Sequence, residues 1–223
     1  PQPNIARLPM PIESADQILE SIFTATTGRT RLLVVSHITS PTAVTLPVEQ
    51  IIREAHRRGI AVCIDGPHAV AQYPLDLERL ACDFYCASCH KWLCAPFGSG
   101  FLYVATPHQE AIQPPWLSWG RLLPDRVEVW SDEFIWSGTR DPSSYLAIPA
   151  AIEFLENVGL DAFRESTHDL ASYARSRLID LTGEIPIVPD SATWYGSMAH
   201  VPLPAGDPER LQSHIVIVRP HRS

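Results

Sequence analysis

Apolar residues in the first half of the chain follow two rhythms. One is helical. Ser14-Ala15-Asp16-Gln17 forms a capping-box pattern, and Ile18, Leu19, Ile22 and Phe23 then recur at helical spacing until the pattern stops before Gly28. Residues 48–58 repeat it, with Pro47 at a plausible first helical position and Gly59 as the stop. The other rhythm is a short, continuously apolar run. Residues 31–36, 60–65 and 84–88 have this character, which predicts strands covered on both faces. A short helical segment at residues 77–81 precedes the third run. Strand, helix, strand, helix, strand is the order of an α/β domain with a parallel sheet.

The fourth strand, residues 100–104, departs from that order. Only residues 89–99 separate it from the third, and they contain Pro96, Gly98 and no helical pattern. A parallel crossover needs about a dozen residues or more, so this pair is expected to be antiparallel and the sheet mixed, though mostly parallel. Residues 114–136 are irregular and hold Trp116, Trp119, Trp130 and Trp136. One helix is expected over residues 143–158 and a longer one over 160–181, linking the sheet domain to a smaller one. Residues 185–187 and 198–201 are candidate strands of that second, α+β unit, and a proline-rich remainder follows. The expected division is 1–158 and 159–223.

A net charge of −8 leaves no basic surplus to displace counterions from phosphates, so nucleic acid is not an expected partner. No apolar run reaches the roughly 18 residues of a membrane span and no basic-then-apolar leader opens the chain, so a cytoplasmic protein is expected. Five cysteines crowd into residues 63–94, an odd number that fits reduced thiols better than a disulfide framework. Two metal patterns overlie them. Cys86-Ala87-Ser88-Cys89-His90 has the spacing of covalent haem attachment, and Cys82, Cys86 and Cys89 that of an iron–sulfur cluster. Both need cysteines on a loop or helix, whereas residues 84–88 read as a buried strand, where Cys behaves as a small hydrophobe. No metal is expected.

In an open α/β sheet, ligands bind outside the carboxyl ends of the strands. Three such ends carry polar groups here: Ser36-His37, Asp65 with His68, and Ser88 with His90 and Lys91. An amine, a carboxylate and phosphate donors in one crevice suit pyridoxal phosphate, although a strand-end Asp followed by Gly is common on its own.

Asp65-Gly66-Pro67-His68-Ala69-Val70, then Cys82-Asp83-Phe84-Tyr85, then Ser88-Cys89-His90-Lys91 resembles the class V aminotransferase family of fold-type I enzymes. Residues 89–96, with Gly98-Ser99-Gly100-Phe101-Leu102, Ser36-His37-Ile38-Thr39-Ser40 and Gly138-Thr139-Arg140-Asp141, are most similar to the isopenicillin-N-epimerase-like branch. The resemblance implies pyridoxal 5'-phosphate as cofactor and an amino acid, or an amino-acid-derived small molecule, as substrate. Lys91 would hold the cofactor as a Schiff base and shuttle the α-proton. Asp65 would pair with the ring nitrogen, His68 would lie near the ring oxygen, and Ser88 and His90 would bind the phosphate. Thr139 matches a threonine that reaches the phosphate of the neighbouring subunit, which implies a homodimer. Ser40 stands where many relatives have an asparagine.

The pattern also departs from the family. Members are longer, mainly before the position of Pro1, and that part supplies a phosphate loop and a group stacked on the cofactor ring. Neither is located here, and no arginine, Arg219 and Arg222 included, is assigned to a substrate carboxylate. A cysteine desulfurase or C–S lyase is the nearby alternative, although no cysteine follows Cys94. A non-catalytic chain without a complete cofactor site is the alternative of another class.

Overall fold

A computed structural model describes residues 3–115, 129–135, 138–207 and 209–211. Trp116, Trp119, Trp136, Arg219 and Arg222 lie outside the described residues.

Helix α1 (Ala15–Thr24) begins at Ser14, whose Oγ accepts from the Gln17 amide at 3.4 Å. The return bond of the capping box lands one residue early: Gln17 Oε1 accepts from the Glu13 amide at 2.8 Å. Strand β1 (Leu32–Ser36), helix α2 (Val48–Arg57), strand β2 (Ala61–Asp65), the single turn α3 (Leu77–Leu80) and strand β3 (Phe84–Ser88) follow as the patterning predicts. Strand β4 (Gly100–Val104) pairs antiparallel with β3, and the sheet runs in the order β1-β2-β3-β4. The eleven-residue connection is indeed too short for a crossover. The mixed α/β sheet expected from the sequence is what forms.

One face of this sheet packs on helices. Val35, Val62, Ile64, Tyr85 and Ala87 meet Ile18, Ile22 and Phe23 of α1 and Val48, Ile51, Ile52 and Ala55 of α2 in a single core. Burial of these side chains contributes about 1.5–3 kcal/mol for each large aliphatic or aromatic residue. The opposite face differs from expectation. Leu32 is 47% exposed, Val34 69% and Leu102 50%, so the runs are covered on one side only. A run apolar at every position predicts two covering layers, and the described residues supply one.

The second half departs more. Two helices, α5 (Ser143–Leu146) and α6 (Ile148–Val158), replace the single helix expected over residues 143–158. Pro149 in the first turn of α6 has no amide hydrogen to continue the ladder, so the break falls there. A short turn of helix, α4 (Asp132–Ile135), precedes them, with Phe134 edge-on to Trp130. Helix α7 (Leu160–Thr182) ends at Gly183, whose φ of 68° is left-handed. Arg164 on α7 donates to the carbonyls of Ala71 and Tyr73 and ties the helix to the segment after β2.

Residues 185–187 and 198–201 are not strands, and no strand follows β4 among the described residues. Pro186, Pro189, Pro202 and Pro204 remove the amide donors that a ladder there needs. Instead the Ile187 carbonyl accepts from the Ile12 amide, the Trp194 carbonyl accepts from Thr45, and Val188 enters the core beside α1 and α2.

Candidate functional site

The parallel strands bring their carboxyl ends to one edge. Ser36 pairs with Asp65 and Asp65 with Cys86, so the three ends lie side by side. The His37 amide donates to the Asp65 carbonyl at 2.8 Å and fixes the exit of β1 against that of β2. After Asp65 the chain must bend sharply over the ring of Tyr85. A Cβ at position 66 would sit 1.9 Å from the Tyr85 hydroxyl oxygen, so only glycine fits there. The turn that follows, with Ala69 donating to the Gly66 carbonyl at 3.0 Å, delivers His68.

The lysine arrives on the β3–β4 connection. Cys89 donates to the Ser99 carbonyl at 3.0 Å, and Ala95 donates to the Cys89 carbonyl at 3.0 Å, which closes the segment at its neck. Cys89 and Ala95 are buried, with Ala151 of α6 packed against them. Within this closed segment Lys91 Nζ lies 2.8 Å from His68 Nε2, and Trp92 Nε1 donates to His68 Nδ1 at 3.4 Å. Burial lowers His68 below the ordinary imidazole value, the Lys91 charge lowers it further, and the Asp65 carboxylate opposes both. Asp65, His68 and Lys91 thus form one electrostatic group at the strand ends.

His90 is different. Its ring packs on Phe97 with centroids 4.8 Å apart, and its Nδ1 is buried without a hydrogen-bond partner among the described residues. A buried polar nitrogen left unpaired costs about 1–3 kcal/mol, so an acceptor or donor brought to it gains that amount. Ser88, half-buried at the end of β3, lies on the same edge. Thr139 is exposed, next to Gly138 with its φ of 116°. Ser40 is exposed as well.

Five of the six residues singled out from the sequence therefore share the strand-end edge: Asp65, His68, Ser88, His90 and Lys91. The sixth, Thr139, is an exposed residue of the turn before α5. Sequence reasoning missed Trp92, although its position directly after Lys91 was a signal. A buried His37–Tyr85 pair beneath the site was missed too, with Nδ1 and the hydroxyl 3.0 Å apart. Burial pushes His37 down to about 4 and raises Tyr85, so both are neutral near pH 7.

Chemically, the group offers a primary amine, a carboxylate, an imidazole between them and an unpaired imidazole nitrogen nearby. That set fits a phosphorylated aldehyde: the amine for the aldehyde carbon, the carboxylate for a cationic ring nitrogen, His90 Nδ1 for the phosphate. A cleft of about 680 Å³ opens beside His37 between Arg53, Tyr73 and Arg79, and a smaller one of about 240 Å³ lies between Val70, Leu93 and Arg164. Neither includes Lys91, so the chemistry, not the concavity, identifies this site. Among the described residues no three His, Cys, Asp or Glu side chains cluster as a metal site, and no helix is long and apolar enough to cross a membrane.

Known proteins show the same chain organisation. An isopenicillin N epimerase of Amycolatopsis lactamdurans is 39% identical over 213 residues, which cover 90% of this chain and 53% of the relative. The isopenicillin N epimerase of Streptomyces clavuligerus is 36% identical, with the same coverage of 90% and 53%. A probable cysteine desulfurase of Halalkalibacterium halodurans is 31% identical over 171 residues, 74% of this chain and 41% of the relative. The chain thus spans about half the length of the epimerases it matches. Among solved structures, the apo cysteine desulfurase of Thermococcus onnurineus NA1 superposes with a TM-score of 0.71 at 19% identity, over 92% of this chain and 52% of that one. A cystine C–S lyase in complex with cysteine persulfide gives 0.68 at 22% identity, over 79% and 49%. These two show a shared fold. The profile described as Aminotransferase class-V matches residues 6–216, and with nearly the whole sequence inside that match, the chain belongs to the class-V aminotransferase family.

Proposed function

We propose that this chain carries the lysine half of a pyridoxal-5'-phosphate enzyme acting at the α-carbon of an amino acid or amino-acid-derived substrate, in the manner of an isopenicillin N epimerase. The observation that carries the reading is the 2.8 Å approach of Lys91 Nζ to His68 Nε2 beside Asp65, at the carboxyl ends of parallel strands. The similarity to two epimerases over 90% of the chain supports the substrate class.

The bound cofactor would supply an electron sink for the bonding pair left when the α-proton departs. Lys91 would hold the aldehyde carbon and would take and return the α-proton at Nζ. Asp65 would keep a proton on the ring nitrogen by ion pairing. His68 would contact the ring oxygen, and Ser88 and His90 would bind the phosphate. Exposed Thr139 is free to meet the phosphate of a second subunit, so the active form is a homodimer. Five free cysteines support a reducing, cytoplasmic setting. Residues 159–223, from α7 onward, belong to the smaller domain in this reading.

Adding pyridoxal phosphate, reducing with borohydride and mapping the adduct tests the proposal. The label is expected on Lys91 and absent from Lys91→Ala. A chain with no label, or a label that survives the substitution, supports a non-catalytic chain instead. The cysteine desulfurase and lyase relatives favour a second reading, sulfide release from cysteine or cystine. Racemisation of an amino-acid substrate without sulfide release decides for the first.

A further inference from the structure

The larger cleft, about 680 Å³, lies in the size range of small-ligand sites and has their build, an apolar floor with a few polar groups at the rim. Leu46, Val48 and Leu80 are buried in its floor. Tyr73 forms one wall with its ring held in place, because its hydroxyl lies 2.9 Å from Thr45 Oγ1 and donates to the Ala192 carbonyl at 3.2 Å. Buried His37 stacks on that ring with centroids 6.3 Å apart. Its Nδ1 meets Tyr85, whereas its Nε2 has no hydrogen-bond partner among the described residues.

Charge decides what the rim takes. Three guanidinium groups line the cleft, those of Arg53, Arg79 and Arg164, against the two carboxylates of Glu49 and Asp76. The surplus is one positive charge, in a chain whose net charge is −8. Most of these groups are already engaged. Arg53 faces Glu49 at 3.9 Å, and Arg164 is held by Asp161 at 3.1 Å and by the carbonyls of Ala71 and Tyr73. Asp76 Oδ1 caps its own helix by accepting from the Arg79 amide at 3.0 Å. The Arg79 guanidinium makes no bond among the described residues.

We propose that this cleft is a binding site, separate from the Lys91 group, for a small organic carboxylate: the apolar body lies on the floor against Tyr73, and the single negative charge meets Arg79 at the rim. A monoanion matches the surplus of one, whereas a phosphate monoester carries about 1.5 to 2 negative charges at neutral pH and exceeds it. The apolar body is as necessary as the charge, because an exposed ion pair on its own adds little. Glu49 opposes the ligand from the same rim, which gives the charge effect a sign in each direction.

Amide NMR spectra of the chain without cofactor test it, with naphthoate as the probe and naphthamide as its uncharged match. Naphthoate is expected to give saturable shifts at residues 46–50, 73–80 and 193. Arg79→Ala should weaken naphthoate about two- to fivefold, the range of one screened ion pair, and leave naphthamide unchanged. In the wild type, naphthamide should bind more weakly than naphthoate by about the same factor. Glu49→Gln removes the opposing charge and should tighten naphthoate but not naphthamide. The absence of saturable shifts in the millimolar range overturns the proposal. Equal affinity for the two probes, or a naphthoate affinity indifferent to both substitutions, overturns it as well. Tighter binding of naphthyl phosphate than of naphthoate overturns the choice of a carboxylate. Arg79 and Glu49 are both exposed and act separately, so a variant that fails to fold leaves the other to decide. Because no cofactor is added, the outcome does not depend on whether Lys91 holds one.

Discussion

Replacing Asp83 by alanine removes one acceptor from three donors. Asp83 lies just before β3, at the end of the sheet remote from Lys91. Its Oδ2 accepts from the Val62 amide at 2.7 Å and from His56 Nε2 at 2.8 Å, and its Oδ1 accepts from His108 Nε2 at 2.6 Å. The carboxylate thereby joins α2, β2, β3 and the turn after β4. Val62 is a core residue with its side chain fully buried, and a hydrogen bond from its amide to an ionised group contributes about 1.5–3 kcal/mol. The histidine side chains are 40% and 32% exposed, so solvent screening limits each pair to about 0.2–1 kcal/mol. Together the loss is expected to be about 2–5 kcal/mol, read as a lower urea midpoint with unchanged slope. The pH dependence gives a second readout. Burial alone raises the Asp83 carboxyl, but the bonds from His56, the Val62 amide and His108 outweigh it and hold the group below its ordinary value. A depressed carboxyl contributes fully above its unfolded value, about 3.9, and loses that contribution as the pH falls through the lower folded value. The gap between wild type and Asp83→Ala should therefore narrow as the pH falls below about 4. A loss under about 1 kcal/mol at pH 7, or a gap that does not narrow in acid, refutes the accounting.

Three further outcomes follow from single residues. Burial holds folded His37 at about 4, against 6.5 when unfolded, so protons favour the unfolded chain: stability should fall as the pH drops from about 6.5 to about 4, by about 3 kcal/mol, and His37→Phe should flatten that segment of the titration curve. Gly66→Ala places a Cβ 1.9 Å from the Tyr85 hydroxyl and 2.1 Å from its ring carbon, so a melting temperature within a degree of wild type would contradict the packing beneath the site. Arg164→Ala frees the carbonyls of Ala71 and Tyr73; hydrogen exchange is expected to speed up in α7 and the Ala71–Tyr73 segment while β2 and β3 stay protected.

The short apolar runs made β1 to β3 legible because each is uninterrupted and bounded by turn residues, and the brevity of residues 89–99 made the direction of β4 legible too. The site was legible where chemistry is local to the sequence, in Asp65-Gly66-Pro67-His68 and Ser88-Cys89-His90-Lys91. What was not legible depends on contacts between distant positions. Trp92 reaches His68 across 24 residues, and Asp83 collects donors 21 to 27 residues away, with no periodicity to announce either. The exposed face of the sheet was misread for a related reason: a run apolar at every position states that both sides want cover, and says nothing of which segments provide it. The expected strands at 185–187 and 198–201 failed on a local rule, the prolines that flank them.

The neck that closes residues 89–99 has a mechanical consequence. With Cys89 bonded to Ser99 and Ala95 bonded back to Cys89, the segment carrying Lys91 is a small ring whose closure does not depend on its tip. Because the entropy of closing a loop grows only slowly with its length, residues added beyond Ala95, where Phe97 is 83% exposed, load the neck little. Lys91 and His90 sit between the two attachment points of Cys89 and Ala95, on the short arc of that ring. Variation at the tip can therefore reshape what shields His90 while the lysine keeps its bearing on His68.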